Sequence, residues 1–277
     1  MNSPTISTFV CVCEPDKMGF PIREAVKSYL SFSDEVVVIY GRSEASSIAD
    51  IVSLDPRVKI IETHGWPLDW HYDHMRDHIQ KGIDSALGDF ILKIDADCIF
   101  HDESGPLIRQ RILGMTDHVL NFNLYSYYHP FGFRNKGSDT MYCLNVGRLR
   151  SENIKFWISN ETGSNLLTFD REISRERENS FNKCPVNYDD TFLTLEQGLR
   201  KWYYWHCALD KKNNKEKRYG DINNIDMKFM TNDYVGYKRG KAGGCSYNTS
   251  YSHPSCIVEK FGVENGILNL PDKFKKF

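Results

Sequence analysis

The sequence predicts an α/β protein with a mostly parallel central sheet and helices on both faces. Three observations predict it. Short apolar, β-branched runs alternate with helix-like stretches over the first hundred residues. The stretch 71–87 places Met75, Ile79, Gly82 and Ala86, and also Ile83 and Leu87, at spacings of three and four, which puts one apolar stripe against a sheet. The apolar run 90–94 then stops on an acidic residue, Asp95, and in sheets of this class ligands bind beyond the carboxyl ends of the strands.

Taken in order, residues 6–13 read as a buried strand broken by Pro15-Asp16, and residues 21–30 as a helix opened by Pro21. Residues 36–40 are a second strand, 46–53 a helix stopped before Pro56, and 58–61 a third strand. The helix 71–87 ends at Gly88, and 90–94 is the fourth strand. Further on, 119–128 reads as one long strand and 140–146 as another. Residues 188–198 read as a helix stopped by Gly198, and the aromatic run 202–206 as a strand. Residues 253–261 suggest a short closing helix. The expected organisation is a single domain over 1–277, with a first half at 5–100, a second half at 101–240 and a mobile tail at 241–277.

Composition excludes several classes. With 35 Lys and Arg against 37 Asp and Glu, the chain lacks the basic excess of a nucleic-acid binder. No apolar stretch approaches the roughly 20 residues needed to span a bilayer, and residues 1–9 lack a secretory pattern. The expectation is a soluble, cytoplasmic protein, with peripheral membrane contact left open. The eight cysteines show no C-x-x-C spacing, so reduced thiols are expected and a zinc knuckle is not. The sequons at Asn160 and Asn248 are read as chance.

Asp95-Ala96-Asp97 carries the chemistry. Two neighbouring carboxylates repel unless a cation lies between them, and oxygen ligands at a strand end suit Mg2+ or Mn2+. Such an ion can bridge a diphosphate and stabilise it as a leaving group. A D-x-D also arises in ordinary acidic turns, so its position after Ile91-Leu92-Lys93-Ile94 matters. His71, His74 and His78 share a helix face at spacings that suit zinc, but a solvated face is the favoured reading.

The segment DHMRDHIQKGIDSALGDFILKIDADCIF at 73–100 resembles the donor-binding half of family 2 glycosyltransferases of the GT-A fold, and AVKSYLSFSDEVVVIYGRS resembles that family's first helix and second strand. The resemblance covers residues 5–100 well and 185–206 loosely. It implies a GT-A-type fold and a metal-dependent, inverting transfer of a sugar from a nucleotide-sugar donor to an acceptor hydroxyl on a glycan, lipid or protein. Asp95 then faces the ribose and metal, Asp97 the metal, Arg76 the nucleotide or its phosphates, and Glu14 the base or ribose. Arg76 also fits a surface pair with Asp73 or Asp77, and Glu14 a solvated loop carboxylate.

Where the family often has an acid after the second strand, this chain has Tyr40-Gly41-Arg42-Ser43. Here Tyr40 would stack on a base and Arg42 reach a phosphate. The acidic pair before the expected helix, Asp189-Asp190, matches the family's general base, with Asp190 first and Asp189 second; a helix cap is the alternative. His206 matches a late histidine that completes the metal shell, or else is a core histidine. Two further readings stand beside this one: a D-x-D phosphatase or phosphotransferase, and a catalytically inactive sugar-nucleotide-binding protein of the same fold.

Overall fold

The computed structural model describes residues 3–41, 49–65, 72–136, 141–159, 166–178, 186–188, 191–213, 215–220, 224–243, 245, 253–265 and 267–274. Strand β1 (Ile6–Cys13) leads through helix α1 (Pro15–Met18) to α2 (Ile22–Tyr29), then β2 (Glu35–Gly41), α3 (Ala49–Val52), β3 (Val58–Thr63), α4 (Tyr72–Ser85) and β4 (Phe90–Asp95). After β4 come β5 (Cys98–Ile99), α5 (Gly105–Leu113), β6 (Val119–Phe122), β7 (Leu124–Tyr128), β8 (Gly132–Lys136), β9 (Tyr142–Asn145), α6 (Val146–Ser151), β10 (Phe156–Ser159), β11 (Leu166–Phe169), β12 (Arg175–Glu178) and β13 (Val186–Asn187). The long helices α7 (Leu195–Lys212) and α8 (Met227–Ala242) follow, and α9 (Ser255–Phe261) packs near the end.

Seven strands form the main sheet in the order β12-β6-β9-β4-β1-β2-β3. Strands β3, β2, β1 and β4 are mutually parallel, β9 runs antiparallel to β4 and β6, and β12 is parallel to β6. The sheet is thus mostly parallel, as the β-α alternation predicts. Its two faces follow the period of two along each strand. Val10, Val12, Val36 and Val38 meet Ile22, Ala25, Val26 and Tyr29 of α2 on one face. Phe9, Val37, Ile39 and Ile91 meet Ile79, Ile83 and Ala86 around α4 on the other. Gly82 of α4 lies so close to β1 that a Cβ there would stand 2.2 Å from the Phe9 ring.

At the amino ends of the strands one carboxylate ties three segments together. Glu35 opens β2, accepts from Ser7 Oγ of β1 at 2.5 Å and from the Leu87 backbone N–H at 3.0 Å, and pairs with Lys59 of β3. Gly88 donates to Ser7 Oγ at 2.8 Å, and a Cβ on Gly88 would fall 2.6 Å from the Ser7 nitrogen. Gly88 is therefore needed for close approach to β1, and the helix it was expected to stop ends three residues earlier.

Three expected elements are corrected. Residues 119–128 are two strands, β6 and β7, which part at Asn123 into different sheets, because β6 pairs with β9 while β7 pairs with β8 and β13. The run Trp202 to His206 is helical, inside α7. Its β-prone aromatics recur at helical spacing, and Leu199, Trp202 and Tyr203 form a cluster with Met230 and Tyr234 of α8. Gly198 lies within α7 instead of ending a helix; a Cβ there would meet the Tyr234 hydroxyl at 2.4 Å. The helix begins with a capping box: Gln197 N–H donates to Thr194 Oγ1 at 3.2 Å and Thr194 N–H to Gln197 Oε1 at 2.8 Å.

The end of the chain is also more than a tail. Cys256, Ile257, Leu268 and Leu270 are buried in the same core as β1 and α2. Among the described residues no helix is long and apolar enough to cross a membrane, and the described cysteines are free thiols.

Burial raises the Glu35 pKa, but hydrogen bonds from Lys59, Ser7 and Leu87 outweigh it and hold the carboxyl below its ordinary value. A depressed folded pKa stabilises the protein above the unfolded value and loses that stabilisation as pH falls through the folded one. Glu35→Gln should therefore cost about 1–2 kcal/mol at pH 7, the order expected for hydrogen bonds to a charged group. The difference from wild type should close below about pH 4, near the ordinary carboxylate range. Urea melts across this range test it; a gap that does not change with pH would refute the assignment.

Candidate functional site

The site lies where β4 ends. Cys11 of β1 pairs with Asp95, so β1 runs on only two residues past this level before Glu14. Glu14 adopts a left-handed backbone, φ 44°, which costs a non-glycine residue of the order of 1 kcal/mol. This strained, half-buried carboxylate at a strand end is where the sequence placed a donor contact.

Four elements hold the turn after β4. The Tyr29 hydroxyl of α2 donates to the carbonyls of Asp95 at 3.1 Å and Cys98 at 2.9 Å. Burial, with the charges around Cys98, Asp97 and Asp95, pushes this phenol far above its usual range, so it stays an O–H donor. Strand β5 pairs antiparallel with β13, and the Asn187 side chain donates to Asp97 Oδ1 at 2.9 Å. Tyr188 N–H donates to the Asp97 carbonyl at 2.9 Å. From α7, the Lys201 ammonium stands 3.8 Å from Asp97 Oδ2 and lies over the Phe20 ring at 5.5 Å.

Asp95 has its own counter-charge. Lys93, two residues earlier on the same side of β4, is almost fully buried and forms an ion pair with Asp95 Oδ1. Burial lowers the Lys93 pKa, but the Asp95 charge and hydrogen bond more than restore it, so the ammonium stays charged. The Cys11 thiol beside the pair is pushed up to about 12 by burial, against the pull of Lys93. The Asp95 side chain is 40% exposed while that of Asp97 is 12% exposed, so the first carboxylate faces solvent and the second is largely enclosed.

No family model matches the chain, and no characterised relative does. Among solved structures the backbone is similar to S. aureus TarS, at 11% identity over 86% of this chain and 81% of that one, with a TM-score of 0.47. It is also similar to the mannosyltransferase PcManGT from Pyrobaculum calidifontis in complex with GDP-Man and Mn2+, at 9% identity over 94% of this chain and 80% of that one, with a TM-score of 0.48. A third similar structure is glucosyl-3-phosphoglycerate synthase from Mycobacterium tuberculosis with Mn2+, UDP and phosphoglyceric acid, at 13% identity over 53% and 58% of the two chains and a TM-score of 0.35.

The other expected site residues divide. Arg42, Asp189 and Asp190 lie outside the described residues. The residues that flank the acidic pair are described: Tyr188 is bonded to Asp97, and Thr191 donates through its backbone to the Tyr188 carbonyl at 2.8 Å and through its hydroxyl to the Tyr127 carbonyl at 3.1 Å. The pair does not open α7, whose cap is Thr194. Tyr40 is corrected: its ring is 2% exposed inside the core beside Val12 and Val38, so it offers no platform to a base. Arg76 pairs with Asp77 at 2.8 Å and Asp73 at 3.3 Å on its own helix, the surface-pair alternative.

His206 is packed against Trp202, Trp205 and Tyr219 at centroid distances of 4.5, 5.1 and 5.2 Å. Lys201, which faces Asp97, precedes it by five residues, about 140° around a helix. His206 is thus a buried histidine among aromatic rings, on another side of α7 from Lys201. His78 hydrogen-bonds Thr63 Oγ1 at 2.7 Å and the His74 carbonyl at 2.5 Å, which uses both ring nitrogens and leaves neither for zinc. His71 lies outside the described residues.

Tyr29, Lys93, Asn187 and Lys201 were not singled out from the sequence. Lys93 alone left a signal, a charge inside an otherwise apolar strand.

The Lys93–Asp95 pair predicts an asymmetry. Asp95→Asn leaves a buried ammonium without its partner and should cost about 3 kcal/mol. Lys93→Met should cost less, because Asp95 can turn to water. The double variant should recover most of what Asp95→Asn loses. Chemical denaturation of the four proteins tests this; equal stability of Asp95→Asn and wild type would remove the pair as a structural element.

Proposed function

We propose that the chain is a glycosyltransferase that passes a sugar from a nucleotide-sugar donor to an acceptor hydroxyl. The observation that supports it is the strand-end pair Asp95 and Asp97, held rigidly by Tyr29 and Asn187 and bordered by the cations Lys93 and Lys201. Acidic and basic groups at one strand mouth suit a diphosphate, whose charge needs both a bridging ion and ammonium groups. Glu14, after the neighbouring strand β1, is the proposed contact to the nucleoside. Arg42 is retained as a candidate phosphate contact; Arg76 would serve as one only on leaving its pairs with Asp73 and Asp77.

The donor set fits a divalent ion of the substrate-bridged kind. Mg2+ and Mn2+ are commonly bound by one or two carboxylates together with substrate phosphate oxygens. Asp95 and Asp97 would supply those two carboxylates; among the described residues there is no cluster of three or more His, Cys, Asp or Glu that could hold a metal. When bound, such an ion would offset the charge on the departing diphosphate.

The chain's own residues would do the rest. Lys201 is 31% exposed at its side chain and long enough to swing from Asp97 to a phosphate oxygen. Asp190, with Asp189 as second choice, is the proposed general base; Tyr188, the residue before this pair, is bonded to the Asp97 carbonyl. In the transfer step the acceptor oxygen bonds to the anomeric carbon, the bond from that carbon to the diphosphate oxygen breaks, and the acceptor proton passes to Asp190. Attack opposite the leaving group inverts the anomeric centre.

Thermal melting with a panel of nucleotide-sugars, with and without Mn2+, tests the donor assignment. A donor at 100 times its Kd should add about 2.7 kcal/mol of stability to the wild type by mass action, and Asp97→Asn should lose that gain. If no nucleotide raises the wild-type melting point with metal present, the donor reading fails. Asp190→Asn should bind donor normally and lose transfer; unchanged turnover would exclude it as the base.

A further inference from the structure

We propose that a second cleft, between the α1–α2 turn, the start of α7 and the C-terminal segment, binds a saccharide and seats the acceptor. The acceptor role rests on the transferase reading above; the saccharide chemistry does not.

The cleft has a volume of about 680 Å³, within the range of small-molecule sites and enough for one or two pyranose rings. Three half-buried rings line it, those of Phe20, Phe261 and Phe274. Phe261 is fixed by near-parallel stacking on Phe192, with centroids 5.0 Å apart and planes at 12°. Around these rings stands a rim of charged groups of both signs. Glu24 pairs with Lys260 at 2.5 Å, and Arg23 donates to the Asp50 carbonyl at 3.0 Å, which leaves the exposed Asp50 carboxylate at the edge.

This mixture selects among ligand classes. An apolar ligand would strip water from the charged rim without replacing its hydrogen bonds, at a cost per group of roughly 1–3 kcal/mol. A polyanion such as a diphosphate would meet Glu24 and Asp50 as well as the cations. A pyranose matches both features. Its C–H face lies on an aromatic ring, and its hydroxyls both donate to carboxylates and accept from ammonium and guanidinium groups.

The cleft also adjoins the D-x-D turn. Phe20 forms part of its wall, the Lys201 ammonium lies over the same ring at 5.5 Å, and that ammonium stands 3.8 Å from Asp97. A sugar resting on Phe20 would share that ring with Lys201, whose ammonium borders Asp97. The C-terminal segment, buried in the main core through Leu268 and Leu270, contributes Phe274 to the same lining.

The test uses the full chain and saturation-transfer NMR with the methyl pyranosides of glucose, galactose, mannose and N-acetylglucosamine, together with maltose and cellobiose. Inorganic pyrophosphate serves as competitor. At least one saccharide should bind. Its Kd should rise about tenfold in Phe274→Ala and by a smaller factor in Asp50→Asn, and return in Phe274→Trp, as expected for loss and restoration of a stacking platform. Donor-induced melting shifts should stay the same in all three variants. Absence of saccharide binding, an unchanged Kd in Phe274→Ala, or displacement by pyrophosphate would overturn the inference. Nucleotide binding without saccharide binding would overturn the cleft alone. Saccharide binding without any nucleotide binding would overturn the acceptor role and the transferase reading together, and leave a carbohydrate-binding cleft.

Discussion

Two carboxylates at the mouth of a buried strand are the constraint around which this protein is arranged. Asp95 and Asp97 cannot sit two residues apart at the edge of a low-dielectric sheet without counter-charge and hydrogen bonds. The fold supplies these from four places. Lys93 comes from the same strand, Tyr29 from the helix beneath, Asn187 from a short strand ninety residues after Asp97, and Lys201 from a long helix beyond it. The turn is thereby held by hydrogen bonds and counter-charges that the chain itself supplies.

The opposite end of the sheet uses a different economy of charge. Glu35 binds β1, β3 and the α4–β4 turn at one point, beside Asp34 and Asp89, which accept from Ile6 and Thr5 at the start of β1. Close backbone approaches at Gly82 and Gly88 bring α4 and its following turn onto β1. In parallel sheets ligands bind beyond the carboxyl ends of the strands, the end opposite to these contacts.

The aromatic run of α7 has a structural task. Trp202 and Tyr203 pack toward α8 and His206 against Tyr219, while Lys201 on another side of the same helix reaches Asp97. One helix thus joins a secondary core to the strand-end site. Trp202 also donates to the Tyr219 hydroxyl at 2.8 Å, which gives this secondary core a polar anchor.

The sequence by itself determined the first four strands, the helices between them, the two-faced burial of the sheet and the location of Asp95 and Asp97 at a strand end. These depend on local periodicity and on punctuation by Pro21 and Asp95, which neighbouring residues carry. Tertiary structure decided the rest, because the relevant partners are remote. Nothing near Tyr29 announces that it will clamp the Asp95 turn, and nothing near Asn187 announces its bond to Asp97. The run at 202–206 has strand-like composition, yet its burial against α8 makes it helical; packing outweighed propensity there. Tyr40 reads as a ligand platform until the sheet places it in the core. Asn123 separates two strands only because β9 and β13 claim different partners on either side of it. Local pattern sets which elements form; which side chains meet at a site depends on contacts across the chain.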